Sequence, residues 1–238
     1  MCVVGTSLMW GAVAASSLLI GAVLALLRTW SDRVVGFVLA FGAGALIASV
    51  SFELAEEGVH KSGAVPVAAG LALGALAFFL ADRALEAWGK RHSGASGGLP
   101  LALGALLDGI PEQLVLGIGL AAGEGVSAGL LVAIFLSNLP EAIGSSADMK
   151  QGGKSGKTIL LIWASVTAVC TAATVGGHLL SKYTSDVVTS GIDGFAAGAL
   201  LVMLIDSMIP EAREKAKDVA GLATVVGFAL AAGLSLLA

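Results

Sequence analysis

Charged side chains are scarce in this chain. Asp, Glu, Lys and Arg together make up 13% of its 238 residues, whereas a soluble globular domain carries about 25%. Hydrophobic residues make up 57% of the chain, and its mean hydropathy is +0.94. This composition argues against an ordinary soluble enzyme or binding domain and indicates a protein that lies mostly inside a membrane.

Cysteine and histidine are also rare. The two cysteines, Cys2 and Cys170, lie far apart in the sequence, which argues against a disulfide framework and against a cysteine-based metal motif. The chain has only three histidines. These absences argue against a site built mainly from imidazole or thiolate groups, so a metal site in this chain would depend on oxygen ligands.

Long apolar runs fill most of the chain. Because a run of about 20 apolar residues is long enough to cross a bilayer as a helix, the sequence predicts an all-α polytopic membrane protein with eight spans. Their connections are short and polar, so residues 1–238 are expected to form one transmembrane domain. The predicted spans are residues 8–27, 34–54, 64–81, 99–122, 126–149, 158–180, 192–210 and 219–238.

The basic residues are distributed unevenly around these spans. Eleven of the 13 follow spans one, three, five and seven, and only Lys61 and Lys182 lie on the opposite side. Cytoplasmic loops of membrane proteins are enriched in Lys and Arg. We therefore expect a multi-pass protein of the cell membrane with both termini on the extracytoplasmic side.

A short sequence occurs in similar form in two of the predicted spans. Residues 41–47 in span two read FGAGALI, and residues 195–201 in span seven read FAAGALL. In the predicted topology these two spans run in opposite directions. Opposed copies on either side of a central helix pair predict a 3+2+3 inverted repeat, as in transporters whose binding site lies near the middle of the membrane. The alternative is chance similarity between helices rich in glycine and alanine.

The central pair of spans carries acidic residues beside prolines. Pro111 precedes Glu112 in span four, and Pro140 precedes Glu141 in span five. A charge at the centre of a membrane helix costs roughly 2.5–3.5 kcal/mol on insertion scales, so such charges usually serve a function. Each proline also removes a backbone hydrogen bond and leaves a carbonyl oxygen free. Two such helices predict a cation site inside the membrane.

Other oxygen-bearing side chains share the helix faces of the two glutamates. Asp108 lies four residues before Glu112, Ser137 lies four before Glu141, and Asn138 lies three before Glu141. These five residues are our candidate metal ligands. Oxygen ligands suit hard or borderline cations and do not by themselves select zinc. The alternative is a pair of kinked helices whose acids bond to neighbouring polar groups.

These features resemble the ZIP (Zrt/Irt-like) family of metal transporters. The resemblance rests on eight spans with outside termini, on the Pro-Glu pairs of spans four and five, of which span five has the full x-Asn-x-Pro-Glu motif, and on residues 198–211, which are similar to that family's seventh helix. It implies a metal pathway between spans four and five, with Glu112, Asn138 and Glu141 at the positions of the family's motif ligands. It further implies Zn2+ as the main transported ion, Fe2+, Mn2+ or Cd2+ as other cargo, and a homodimer.

The chain also departs from the family pattern. Asp108 and Gly109 stand where that family usually has His-Asn, Gln113 replaces a glycine, and Ser137 replaces a histidine or glutamine. Predicted span six has no acidic residue, and Cys170 or Thr167 lies near the place of the family's glutamate. Because Asp108 replaces a nitrogen donor with a charged oxygen, we expect a weaker preference for zinc over manganese or iron(II).

Two other functions stay open at this point. The missing acid in span six is compatible with a non-transporting membrane sensor or partner protein derived from a carrier. A membrane-embedded metal-dependent enzyme would need a nucleophile–base pair or a dense Asp/His cluster at the interface, and the sequence contains neither. We therefore expect a protein that is not an enzyme, whose partners are the lipid bilayer and divalent metal ions and not nucleic acid.

Further polar residues lie towards the ends of two predicted spans. His178, near the outer end of span six, is expected at the membrane interface and not as a metal ligand. Asp206, Glu211 and Glu214 cluster at the inner end of span seven. This cluster is either an ordinary solvated helix end or a group that collects ions.

Overall fold

A computed structural model describes residues 3–92, 99–122, 128–182 and 185–235, and all the regular structure in these residues is helical. The predicted all-α class is therefore confirmed. The α-helices are α1 (Val3–Leu27), α2 (Asp32–Ser49), α3 (Glu57–Ser62), α4 (Ala64–His92), α5 (Leu99–Ala122), α6 (Ala128–Gln151), α7 (Gly156–Lys182), α8 (Asp186–Met203), α9 (Ile209–Ala216) and α10 (Ala220–Ser235).

Seven helical runs in the described ranges are long and apolar enough to cross a membrane. This finding supports a multi-pass membrane protein. The last run is 50 residues long and joins the predicted spans seven and eight, so the count of eight spans stays a prediction. The seven runs are Val4–Leu27, Asp32–Ser62, Ala64–Leu85, Leu103–Ala121, Ala128–Gln151, Gly156–Ser181 and Asp186–Ser235.

The helices extend beyond the apolar runs that predicted them. The second span was predicted to end at residue 54, yet its helix continues through Glu56 and Glu57 to Ser62. Glutamate and lysine are good helix formers, so a helix can continue past the point where the sequence becomes polar. An apolar run therefore indicates the part of a helix that lies in hydrocarbon, and not the ends of the helix.

Two helices change to π-helix at the same position in the repeated sequence. α2 leads into the π-helical segment Val50–Glu56, and α8 leads into the π-helical segment Leu204–Met208. Each segment begins nine residues after the phenylalanine that opens the repeated sequence, Phe41 in one copy and Phe195 in the other. π-Helical turns are rare and occur frequently at functional sites. The two copies thus share an uncommon local structure at the same register.

Glycines in the two copies allow close helix packing. A Cβ at Gly44 in α2 would overlap the carbonyl oxygen of Thr224 in α10. A Cβ at Gly198 in α8 would likewise overlap the carbonyl oxygen of Leu71 in α4. Small residues permit such backbone contact between membrane helices, where lipid provides no hydrophobic drive for association. α2 therefore pairs with α10, and α8 pairs with α4.

Two apolar clusters form the core of the described fold. The first includes Leu46 of α2 and Leu200 of α8, and the second includes Leu18 of α1 and Trp163 of α7. α6 contributes to both clusters, with Ile134 in the first and residues further along the helix in the second. α6 therefore lies between two groups of helices, and its polar residues lie near the centre of the molecule.

Candidate metal site

A cavity of about 210 Å3 lies where α5 and α6 meet α8, the second π-helical segment and α9. It is large enough for a cation together with several water molecules. Four of the five predicted ligands line it. The full lining consists of Leu39, Gly104, Glu112, Ser137, Asn138, Glu141, Ser145, Met203, Ser207, Met208 and Glu211.

The carboxylate of Glu112 is held by two side chains of α6. Asn138 Nδ2 donates to Glu112 Oε2 at 3.0 Å, and Ser137 Oγ is within donating distance, 3.0 Å, of both Glu112 Oε1 and the carbonyl oxygen of Ile134. Glu112 is only 1% exposed, and both donors are also buried. Because each carboxylate oxygen has a donor, the group has a fixed position and orientation at the cavity wall.

The prolines lie inside continuous helices. α5 continues through Pro111, and α6 continues through Pro140. Pro140 has no N–H to donate to the carbonyl of Leu136, and this carbonyl oxygen lies 2.9 Å from the position that a Cβ at Gly42 would take. The carbonyl freed in α6 therefore faces α2 at close range, and Gly42 leaves the room for it.

The opposite wall comes from the end of the repeat copy in α8. Met203 and Met208 are buried there, Ser207 is half-buried, and the side chain of Glu211 is 40% exposed. Lys215 Nζ lies 2.6 Å from Glu211 Oε1. One wall of the cavity thus carries the buried carboxylate of Glu112. The other wall carries two methionine thioethers and the more exposed carboxylate of Glu211.

Sequence reasoning missed several of these lining residues. Ser145 lies four residues after Glu141 in a regular helix, so helical spacing was a usable signal for it, whereas Ser207 lies in a π-helical segment where that spacing does not apply. The two methionines carry no such signal, because methionine is common in any apolar helix core. Their position at the cavity follows from the way α8 packs against α6.

One predicted ligand falls outside the described side chains. The backbone of Asp108 belongs to α5, but its side chain is not among those that the structure describes. Among the side chains that are described, no three carboxylate, imidazole or thiol groups lie together in a way that could hold a metal ion. The described acidic groups at the cavity are Glu112, Glu141 and Glu211, accompanied by neutral oxygen donors.

α7 brings a thiol close to α5. A Cβ at Gly109 would lie 2.9 Å from the Cys170 sulfur, and Cys170 is fully buried. Thr167 instead donates its hydroxyl to the carbonyl oxygen of Ala15 in α1, at 3.4 Å. Cys170 is therefore the residue of α7 beside α5 at this level, whereas Thr167 bonds to a different helix.

His178, which we expect at the membrane interface, is buried between helices, and its depth in the membrane stays a prediction. His178 is 1% exposed and lies inside the helix bundle. A Cβ at Gly117 in α5 would lie 2.9 Å from the His178 backbone nitrogen, so these helices pack closely here. One turn earlier, Thr174 donates to Gln113 Oε1 at 2.5 Å. α5 and α7 approach each other closely and cover the histidine. The pattern of polar residues along one helix does not reveal such a contact.

Comparison with known proteins gives a partial match. No protein-family model matches the chain. A protein of Arabidopsis thaliana named a "putative zinc transporter" is 30% identical over 205 residues. The alignment covers 80% of this chain and 32% of the plant protein, so the chain spans about a third of that relative's length.

Proposed function

We propose that this chain carries divalent metal cations across a membrane through the cavity beside α5 and α6, as a divergent ZIP-type transporter. The observation that supports this most directly is the Glu112 carboxylate, which is nearly fully buried between apolar helices and yet lines a cavity. A buried charge among membrane helices is costly, and it usually serves an ion pathway. The similarity to a plant protein named as a zinc transporter is consistent with this function.

The proposed ligand set is Asp108, Glu112, Ser137, Asn138 and Glu141. The oxygen atoms of these side chains would replace part of the hydration shell of the ion, and the three carboxylates would neutralise its charge. Zn2+ accepts carboxylate oxygens readily, and Fe2+, Mn2+ and Cd2+ are further cargo that such a site can take. Since Ser137 and Asn138 fix Glu112 in place, the carboxylate needs little rearrangement when an ion arrives.

We further propose eight membrane crossings. A continuous α-helix of 50 residues would measure about 75 Å, more than twice the roughly 30 Å hydrocarbon thickness. The final run is interrupted at Lys217, whose φ of 54° and ψ of −126° are not helical. It would therefore cross once through α8 and α9 and return through α10. The bias of basic residues then places both termini on the extracytoplasmic side of the cell membrane.

The shared register of the two π-helical segments supports the 3+2+3 inverted repeat. The matched glycine contacts of α2 with α10 and of α8 with α4 support it as well. α5 and α6 would then be the central pair, within one transmembrane domain of residues 1–238. Transport sites commonly lie at such repeat interfaces. The homodimer implied by the ZIP resemblance is part of this proposal.

Metal flux into liposomes tests the proposal. The full chain would be reconstituted into vesicles that contain a zinc-sensitive dye, and we expect saturable Zn2+ entry that empty vesicles lack. Glu112→Ala vesicles at the same protein density serve as the matched control for leakage. Saturable zinc binding by the detergent-solubilised protein without flux would favour the sensor, and the absence of both would exclude the transport function and the metal site together.

A further inference from the structure

An ion pair stands at the Glu211 end of the cavity. Glu211 lines the cavity, and its Oε1 lies 2.6 Å from Lys215 Nζ, four residues along α9. The two side chains are 40% and 25% exposed. Exposed pairs at this helical spacing contribute little to folding stability. The fold therefore has little need of this pair, and its place at the cavity points to another role.

Two glycines of neighbouring helices make room for the lysine. A Cβ at Gly36 in α2 would lie 2.6 Å from Lys215 Cβ, so α2 packs directly against this part of α9. A Cβ at Gly144 in α6 would lie 3.3 Å from Lys215 Nζ and 3.8 Å from Glu211 Oε1. Gly144 follows Glu141 by three residues and thus lies near the same face of α6. The ammonium group of Lys215 therefore lies against α6, which belongs to the other wall of the cavity.

We propose that Lys215 is a tethered cation that competes with the transported ion for Glu211. This inference rests on the proposed transport function. Without a divalent ion nearby, the ammonium neutralises Glu211. When an ion reaches this end of the cavity, the flexible lysine stem lets the ammonium move aside into solvent. Because like charges repel, the nearby ammonium group of Lys215 weakens ion binding at Glu211 and favours release of the ion.

The chain contains a matched pair that does not line the cavity. Lys61 bonds to Glu57 at the same spacing, and these side chains are 31% and 35% exposed. Both pairs thus share residue types, helical spacing and solvent access, while only Glu211 lies at the cavity. Lys61→Met therefore controls for the loss of a partly exposed lysine as such.

The test compares Lys215→Met, Lys215→Arg and Lys61→Met with the parent chain. Mn2+ binding to each purified full-length protein would be followed by electron paramagnetic resonance, and Mn2+ uptake would be measured in liposomes. We expect Lys215→Met to bind Mn2+ about fivefold more tightly, as loss of an exposed competing charge allows. The KM for uptake should fall in parallel. Lys215→Arg, which keeps the charge, should restore the weaker binding, and Lys61→Met should bind like the parent.

Each outcome bears on a different part of the proposal. If the parent binds and transports Mn2+ but Lys215→Met has the same dissociation constant, the competition is wrong and the transport function stands. If Lys215→Arg behaves like Lys215→Met, charge is not the cause and the competition is again wrong. If the parent neither binds nor transports Mn2+, both proposals fall.

A second variant tests the proposal without relying on Lys215→Met to fold. Gly144→Ala keeps every charge but places a methyl group 3.3 Å from the ammonium, which must shift. We expect tighter Mn2+ binding from this variant as well. Binding equal to that of the parent would contradict the proposal. Thermal unfolding in detergent would show whether each variant retains its fold.

Discussion

The two walls of the cavity hold their carboxylates in different ways. On the α5–α6 wall, Glu112 is 1% exposed and accepts hydrogen bonds from Ser137 and Asn138. On the α8–α9 wall, Glu211 is 40% exposed and pairs with Lys215 of its own helix. A buried carboxylate interacts strongly with an ion because solvent screens it little, whereas an exposed one is screened. Under the proposed function, the first wall would bind the ion selectively and the second would exchange it with solvent.

Removal of the buried Glu112 carboxylate is the strongest test of this difference between the two walls. Glu112→Ala should lower saturable Zn2+ uptake at least about 100-fold, because the site loses a buried charged ligand. Glu141→Ala should have a similar effect. The fold should persist, since relief of a costly buried charge offsets the loss of the hydrogen bonds from Ser137 and Asn138. Uptake in liposomes measures the change, and thermal unfolding in detergent checks the fold.

Glu56→Ala provides the control for this substitution. The side chain of Glu56 is 56% exposed at a helix end and does not line the cavity. Its removal should leave uptake unchanged. Normal uptake by both Glu112→Ala and Glu141→Ala would show that the ion passes elsewhere in the molecule.

A smaller effect is expected from the residues that orient Glu112. Ser137→Ala removes the donor to Oε1 and should weaken Zn2+ binding about tenfold, a typical result for groups that orient a metal ligand. Ser165→Ala is the matched control, since its hydroxyl donates to the Leu161 carbonyl on an exposed face of α7. Titration of the purified proteins with Zn2+ gives the dissociation constants. Equal constants for the two variants would mean that Glu112 does not depend on its serine donor.

The exposed wall should tolerate the loss of its carboxylate better. Glu211→Ala is expected to lower uptake by at most about fivefold, in line with the small energies of exposed charges. The residual effect should shrink as the salt concentration rises, because salt screens exposed charges more than buried ones. Uptake at low and high ionic strength tests this. A loss as large as that of Glu112→Ala would remove the distinction between the walls.

The smallest predicted effect concerns the choice of metal. Asp108→His exchanges a charged oxygen donor for a nitrogen donor and should strengthen zinc inhibition of Mn2+ uptake about threefold. Zinc also accepts carboxylates well, which keeps the expected shift small. Inhibition curves for the parent and the variant would be measured side by side. Identical curves would mean that residue 108 does not set metal preference.

Helical spacing predicted more about the candidate site in α5 and α6 than in any other helix. The i, i+4 pattern placed polar residues on common helix faces, and the structure brings Glu112, Ser137, Asn138 and Glu141 to one cavity. Their role as metal ligands stays a prediction. This part was accessible because both helices are regular and because charges are conspicuous in an apolar sequence.

The second wall was not accessible in the same way. Glu211 was found only as part of an acidic cluster with two interpretations, and its contact with Lys215 and Gly144 was not predicted. The Glu211–Lys215 pair has the i, i+4 spacing of a single helix and was open to prediction, whereas the contact with Gly144 of α6 depends on which helices pack together. The π-helical segment before α9 adds a further difficulty, since a period of 3.6 residues does not hold through it.

That π-helical segment also affects how related sequences should be aligned. A π-helical turn bonds residue i to residue i+5 and so contains one residue more than an ordinary turn. Deleting a single residue within Leu204–Met208 would permit regular α-helical bonding. It would leave Glu211 on nearly the same helix face relative to Met203, because the π-helical turn takes up its additional residue locally. A one-residue gap here in an alignment would therefore indicate loss of the π-helical turn, while the acid stayed on the same helix face.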